Sequence, residues 1–203
     1  MKKITLLSLG FILLLFFSCG PNDDDGTTSS LPNLTTEGKN TFGCIINEQV
    51  FLPRDAGGLN INDPVPILKA LYVYNEYYFN GYRLSIFADN EILRKSIRIE
   101  MTGCQTPLEE GGIYPIIIEE NNNIHATYDF WDEPVDNGDG TGFQPVYEYY
   151  TNNEISGELE IVKLDTENQI ISGTFWFDCE EVNNGEIAEI REGRFDITYT
   201  ISF

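Results

Sequence analysis

The sequence predicts an all-β fold: a single antiparallel β-sandwich or up-and-down β-barrel-like domain of about ten strands, spanning residues 41–203. Three observations predict it. Apolar residues recur at every second position through most of the chain after Thr41, and period two marks strands buried on one face. The breaks between these runs are rich in Asn, Gly and Asp, which tolerate the left-handed backbone of tight turns. The one helical hint, Asn90 to Lys95, amounts to a single turn at most. Many short strands with short connections close into a sandwich or a barrel.

Taken in order, Phe42-Gly43-Cys44-Ile45-Ile46 reads as the opening strand, with Cys44 a small buried hydrophobe. Tyr82, Leu84, Ile86 and Ala88 alternate with Arg83, Ser85, Phe87 and Asp89. Ile97, Ile99 and Met101 alternate with Arg98, Glu100 and Thr102, and Ile124, Ala126, Tyr128 and Phe130 with His125, Thr127 and Asp129. Ile171, Gly173, Phe175 and Phe177 alternate with Ser172, Thr174, Trp176 and Asp178; Phe195, Ile197, Tyr199 and Ile201 close the chain in the same manner. Turn chemistry sits at Asn80-Gly81, Asn121 to Asn123, Asn137 to Gly140, Asn152-Asn153 and Asn183 to Gly185. The longest irregular stretches are Arg54 to Pro66 and Asp132 to Pro145.

The N-terminus is of another kind. Lys2 and Lys3 precede an apolar run, Ile4 to Phe17, that is too short to span a bilayer. It ends in Phe16-Phe17-Ser18-Cys19, which resembles the lipobox of bacterial lipoproteins. The resemblance implies a signal peptide over 1–18, cleavage before Cys19, and acyl chains such as palmitate on Cys19. Residues 19–40 are the lipidated cysteine and a flexible tether, poor in large apolar side chains. Two or more acyl chains hold a protein stably on a membrane. The acidic run Asp23 to Asp25 resembles the surface-export signal of lipoproteins in Bacteroidota, which implies the outer membrane and an outward-facing domain.

Loss of residues 1–18 removes two of the twelve basic residues and none of the 33 acidic ones, leaving a formal charge of −23. Such a surface repels phosphate backbones and anionic headgroups, so nucleic acid is excluded as a partner and the lipid anchor is the contact with the membrane. His125 is the only histidine, at an outward parity, which excludes multi-histidine metal sites. No Gly-rich phosphate loop is present. With Cys19 acylated, three cysteines remain, enough for one internal bridge in an oxidising compartment. Cys104–Cys179 is the favoured pair because both end predicted strands; the competing reading leaves all three thiols free.

Leu31-Pro32-Asn33-Leu34-Thr35-Thr36-Glu37-Gly38-Lys39-Asn40-Thr41-Phe42-Gly43-Cys44 resembles the opening of a family of small lipoproteins of Bacteroidota, a domain of unknown function. That family continues with a Val-Asn-Gly turn, where this chain has Ile46-Asn47-Glu48. Gly157 to Ile161, Ile171 to Phe175 and Glu192 to Asp196 are similar to its C-terminal pieces. The resemblance implies an all-β lipoprotein and supplies no catalytic residue.

Three candidate sites follow from residue types. Asp132 to Gly142 alternates carboxylates with glycine, and Asp136, Asn137 and Asp139 are the ligands it would offer to calcium, although the full spacing and the closing bidentate Glu are missing. Trp131 and Trp176 fall at outward parity among polar residues, where rings stack on sugars or anchor proteins. The third is a pair of carboxylates about 5–10 Å apart, as glycoside hydrolysis requires. The expectation is a surface-anchored, non-enzymatic lipoprotein with a binding or structural role, its partner a glycan or a surface protein. The alternatives are a glycan-binding module with an acidic calcium loop and a small glycan-active hydrolase.

Overall fold

The computed structural model describes residues 30–57, 67–119, 122–139, 141–154 and 157–202. Cys19, the signal segment and Gly140 lie outside the described residues. The described chain is all-β, without a helix. Its strands are β1 (Thr41–Ile46), β2 (Gln49–Phe51), β3 (Leu68–Asn75), β4 (Gly81–Asn90), β5 (Lys95–Cys104), β6 (Ile113–Glu119), β7 (Asn122–Trp131), β8 (Val135–Asp136), β9 (Gly142–Phe143), β10 (Val146–Tyr150), β11 (Gly157–Asp165), β12 (Ile170–Glu181) and β13 (Ile187–Thr198).

Every strand ladder is antiparallel, and eleven strands form one sheet. Its order is β2-β1-β13-β12-β11-β6-β7-β5-β4-β3, with β10 bridging β12 and β7. The ends of this order meet. The amide of Tyr72 donates to the carbonyl of Thr200 at 3.0 Å, and the amide of Thr200 to the carbonyl of Ala70 at 2.9 Å. A second tie joins the chain after β2 to β4, where Arg54 donates to the Asp89 carbonyl and Glu91 to that of Arg54. The sheet therefore closes on itself as a barrel, which leaves few free strand edges. β8 and β9 make a small separate hairpin inside the Asp132 to Pro145 stretch.

Closure fixes an inside and an outside. Leu84, Ile86, Ile97, Ile99, Met101, Ile124, Leu159, Ile161, Ile171, Phe177 and Ile197 point inward and belong to one buried cluster. Gly173 is required there, since a Cβ on it would lie 2.1 Å from the Glu160 carbonyl oxygen and 2.8 Å from the Phe195 ring. The predicted alternation holds in β4, β5, β7, β12 and β13. The expected helical turn at 91–94 is only the hairpin turn between β4 and β5.

The disulfide expectation is overturned: Cys44, Cys104 and Cys179 are all free and buried. Cys179 lies two residues before Glu181, which is opposite Tyr149; Tyr149 is opposite Tyr128, and Tyr128 opposite Ile97. Cys104 is seven residues beyond Ile97, roughly 20 Å along the strand. Cys104 does end β5, but Cys179 sits two residues inside the end of β12, near the other rim, while a bridge needs Cα atoms within about 7 Å. Burial pushes the thiols of Cys44 and Cys179 up, which makes them poor nucleophiles.

Part of the stretch expected as tether, 35–39, is folded chain. The carboxylate of Asp196, fully buried, accepts hydrogen bonds from Thr35 Oγ1 (2.6 Å), from the amides of Glu37 (3.0 Å), Gly38 (2.8 Å) and Lys39 (3.2 Å), and from Ser172 Oγ (2.8 Å). Gly38 takes a positive φ of 72° to aim its amide inward. Burial alone would raise the Asp196 pKa, but the donors outweigh it and hold the carboxyl at about 2. The folded value is depressed, so this stabilisation is complete above the ordinary Asp value and is lost as pH falls through about 2.

The β1–β2 turn places Asn47 (φ 46°) and Glu48 (φ 68°) both in the left-handed region, the geometry of a two-residue hairpin loop that favours Asn-Gly. Asn47 fits, its side-chain oxygen accepting from the Glu189 amide at 2.8 Å, whereas Glu48 is strained.

Two predictions follow from these positions. Asp196→Asn turns an amide group toward donors and should destabilise by about 3 kcal/mol, a fall of roughly 6–12 °C in Tm. Its melting temperature should also depend less on pH between about 4 and 2 than that of the parent, as thermal melts across that range will show. Glu48→Gly should raise stability by about 1 kcal/mol in urea unfolding; an unchanged midpoint would mean that the turn is not strained.

Candidate functional site

On the outside of the barrel, the cross-strand register lays polar residues in rows. One row runs Lys69, Phe87, Arg98, Thr127 and Tyr150 across β3, β4, β5, β7 and β10. The next runs Leu71, Ser85, Glu100 and His125. These rows meet the tail of β13 at the closure, where Thr198, Thr200 and Ser202 form the opposite wall. The result is a cleft of about 670 Å³, within the size range of small-ligand sites. Leu71, only 8% exposed, is part of its lining.

Charge is distributed unevenly. Residues 67–104 hold five basic and four acidic residues, while the remainder of the chain holds seven basic and 29 acidic. Three of those five cations, Lys69, Arg83 and Arg98, line the cleft. Lys69 Nζ lies 4.9 Å from the Phe87 ring centroid, and Arg98 Cζ lies 5.3 Å from the same centroid. Such cation–π contacts hold both side chains over the apolar ring. Among the described residues, neither Lys69 nor Arg98 has a carboxylate within ion-pair distance.

Glu100 is the one carboxylate among the described lining residues of the cleft. It accepts from Arg83 Nη2 (3.1 Å) and Ser85 Oγ (3.2 Å), and His125 Nε2 stands 3.6 Å from its other oxygen. His125 lowers its pKa most, burial opposes, and Arg98 and Arg83 add to the lowering, so the carboxyl is held at about 2. Glu100 is therefore a fixed anion and hydrogen-bond acceptor at neutral pH. His125, expected as a bystander on the surface, is half-buried and part of this group.

The residues singled out by sequence fall elsewhere. Asp136 accepts from the Gly138 amide (2.8 Å), Asp139 from the Thr141 amide (2.9 Å) and hydroxyl, and Asn137 Nδ2 donates to Thr141 Oγ1 (3.1 Å). These side chains serve the turn between β8 and β9, and no group of three metal-ligating side chains converges among the described residues. Trp176 is 40% exposed on the outer face of β12, as its parity predicts, with Arg191 5.7 Å from its ring. It borders a groove of about 360 Å³ containing Glu158, Glu160 and Glu192. Trp131 borders a groove of about 320 Å³ with Asp89, Glu91, Arg94 and Gln144. The two tryptophans share no groove, but Phe87 borders both the Trp131 groove and the cleft. The Trp131 groove is also where two carboxylates meet, and Asp89 has its pKa raised by burial and then by Glu91.

Sequence reasoning placed Phe87, Arg98 and Glu100 at outward parity without joining them. The signal that points to them is the charge skew of 67–104 together with a phenylalanine at a polar parity. Set against known protein families, curated proteins and solved structures, the chain matches none.

Proposed function

We propose that this protein is a lipid-anchored, outward-facing binding protein of the bacterial outer membrane, and that its ligand sits in the cleft at the barrel closure. The observation that carries this reading is the cleft itself: cations gathered on a ring and left without carboxylate partners among the described residues, in a molecule of charge −21. A purely structural barrel has no need to hold Lys69 and Arg98 in that state. The reading is non-enzymatic because the carboxylate among the described lining residues is committed to Arg83, Ser85 and His125, and no second carboxylate stands there beside it to form the pair that glycoside hydrolysis requires. The anchor rests on the lipobox-like Ser18-Cys19 and the surface orientation on Asp23 to Asp25. A hydrolytic reading has Asp89 and Glu91 beside Trp131 in its favour, since burial and then the neighbouring Glu91 raise the Asp89 carboxyl, as in a general acid.

Two measurements test the proposal. In cells fed labelled palmitate, the parent chain should incorporate label and be removed by protease added to intact cells, and Cys19→Ala should abolish the label; label on the alanine variant refutes the anchor. On an array of neutral and acidic glycans, the purified protein should retain ligands, return them uncleaved, and lose them on Ser85→Trp, which fills the cleft. Retention by Ser85→Trp moves the site elsewhere, cleavage that Asp89→Asn abolishes makes the protein a hydrolase, and an array with no ligand removes the binding reading.

A further inference from the structure

The chemistry of the cleft specifies its ligand more narrowly. We propose that it takes a short acidic sugar, its carboxylate or sulfate held by Lys69 and Arg98 and its hydroxyls by Glu100 and the threonine wall. This rests on the binding reading above.

Four features carry it. First, the positive groups of Lys69 and Arg98 flank one ring and so lie no more than about 10 Å apart, and neither is closed into an ion pair among the described residues, although Arg98 feels Glu100 and Asp129 at longer range. Two cations at that spacing suit an anionic group, or two anionic groups on adjacent sugars, by charge-assisted hydrogen bonds. Second, the opposite wall presents Thr198, Thr200 and Ser202; Thr198 Oγ1 donates to the Gly38 carbonyl (3.5 Å) and Thr200 Oγ1 to the Ala70 carbonyl (3.4 Å), which leaves their oxygens to accept from ligand hydroxyls. Third, Glu100 is an ionised acceptor fixed inside the same cleft. A ligand that is only anionic has no use for it and is repelled by it; a ligand carrying both an acid group and hydroxyl donors uses every wall. Nucleic acid and acidic peptide fit worse, the first through its unbroken run of phosphates and the second through its lack of neighbouring hydroxyls.

The fourth feature is the charge beyond the cleft. Asp89, Asp129 and Glu148 line the adjacent outer row, and Arg98 acts on Asp129 across it. At physiological ionic strength fields fade over about 8 Å, so an anion inside the cleft sees Lys69, Arg83 and Arg98 against the single charge of Glu100. A long polyanion continues onto the acidic row and is repelled. Length selection of this kind favours a few sugars over a polymer.

The test uses the full-length protein and four probes: tetragalacturonate, its fully methyl-esterified neutral form, a sulfated galactose tetramer, and a short oligothymidylate. Tetragalacturonate or the sulfated tetramer should bind, and the better of the two reports whether the acid is carboxylate or sulfate. Lys69→Gln and Arg98→Gln, both at exposed positions, should each weaken that binding at least about tenfold with unchanged melting temperature. Salt should weaken it too, and the methyl ester should bind far less tightly than the acid. If the ester binds as tightly as the acid, or both variants bind like the parent, the acidic-sugar assignment is wrong while the binding reading survives. Oligothymidylate binding as tightly as the sugars overturns the assignment in favour of any anion. Failure of both acids overturns it as well; failure of every glycan on the array removes the reading on which it rests.

Discussion

The buried carboxylate of Asp196 is the interaction on which the architecture turns. It sits on β13, the strand that touches β12 on one side and β1 on the other. Its five donors come from two parts of the chain: the segment before β1, through Thr35 Oγ1 and the amides of 37–39, and the neighbouring strand through Ser172. A buried charge of this kind is tolerable only when nearly every lone pair is used. Here that condition draws residue 35 to residue 196, a separation of 161 positions, and so fixes both ends of the domain together. Asn40 extends the clamp by accepting from the Thr198 amide.

Beyond Asp196, β13 leaves β1 and meets β3, and this exchange of partners makes the site. Where β1 lies on β13 the outer face is covered by the chain that precedes it. Where the tail pairs with Ala70 and Tyr72, Thr200 bridges Leu71, and Thr198, Thr200 and Ser202 stand with Lys69 in the lining of the cleft. The cleft is consequently a by-product of closing the barrel with a short tail. Its residues are held by strands on both sides, which gives them the rigidity that a binding constellation needs.

Much of the fold was legible because it is local. Period-two runs located β4, β5, β7, β12 and β13, and the Asn-rich breaks located their turns. Strands of two or three residues, such as β2, β8 and β9, carry too few positions for a period to show. The pairing of β6 with β11, and of β10 with both β12 and β7, depends on long-range geometry that no local pattern records. The same limit explains the cysteines: that Cys104 and Cys179 lie at or near strand ends is readable, but which rim each strand end reaches is not. For the site, parity correctly sent Trp131, Trp176, Phe87, Arg98 and Glu100 outward. Their grouping was hidden, because the cleft joins residues about 130 positions apart in sequence.

The chain before β1 and the cleft meet on the same strand. Thr198 receives the side chain of Asn40 at its amide and also lines the cleft. Leu31 and Pro32 already pack against Gly43, so on the anchoring reading only the stretch from Cys19 to Ser30, about 35–40 Å at full extension, sets the upper limit on how far the domain stands from the lipid surface. An acidic domain at the end of such a tether is pushed away from anionic headgroups. The small excess of positive charge in 67–104 is then confined to one cleft, where it acts on a bound anion and adds little attraction to the membrane beneath it.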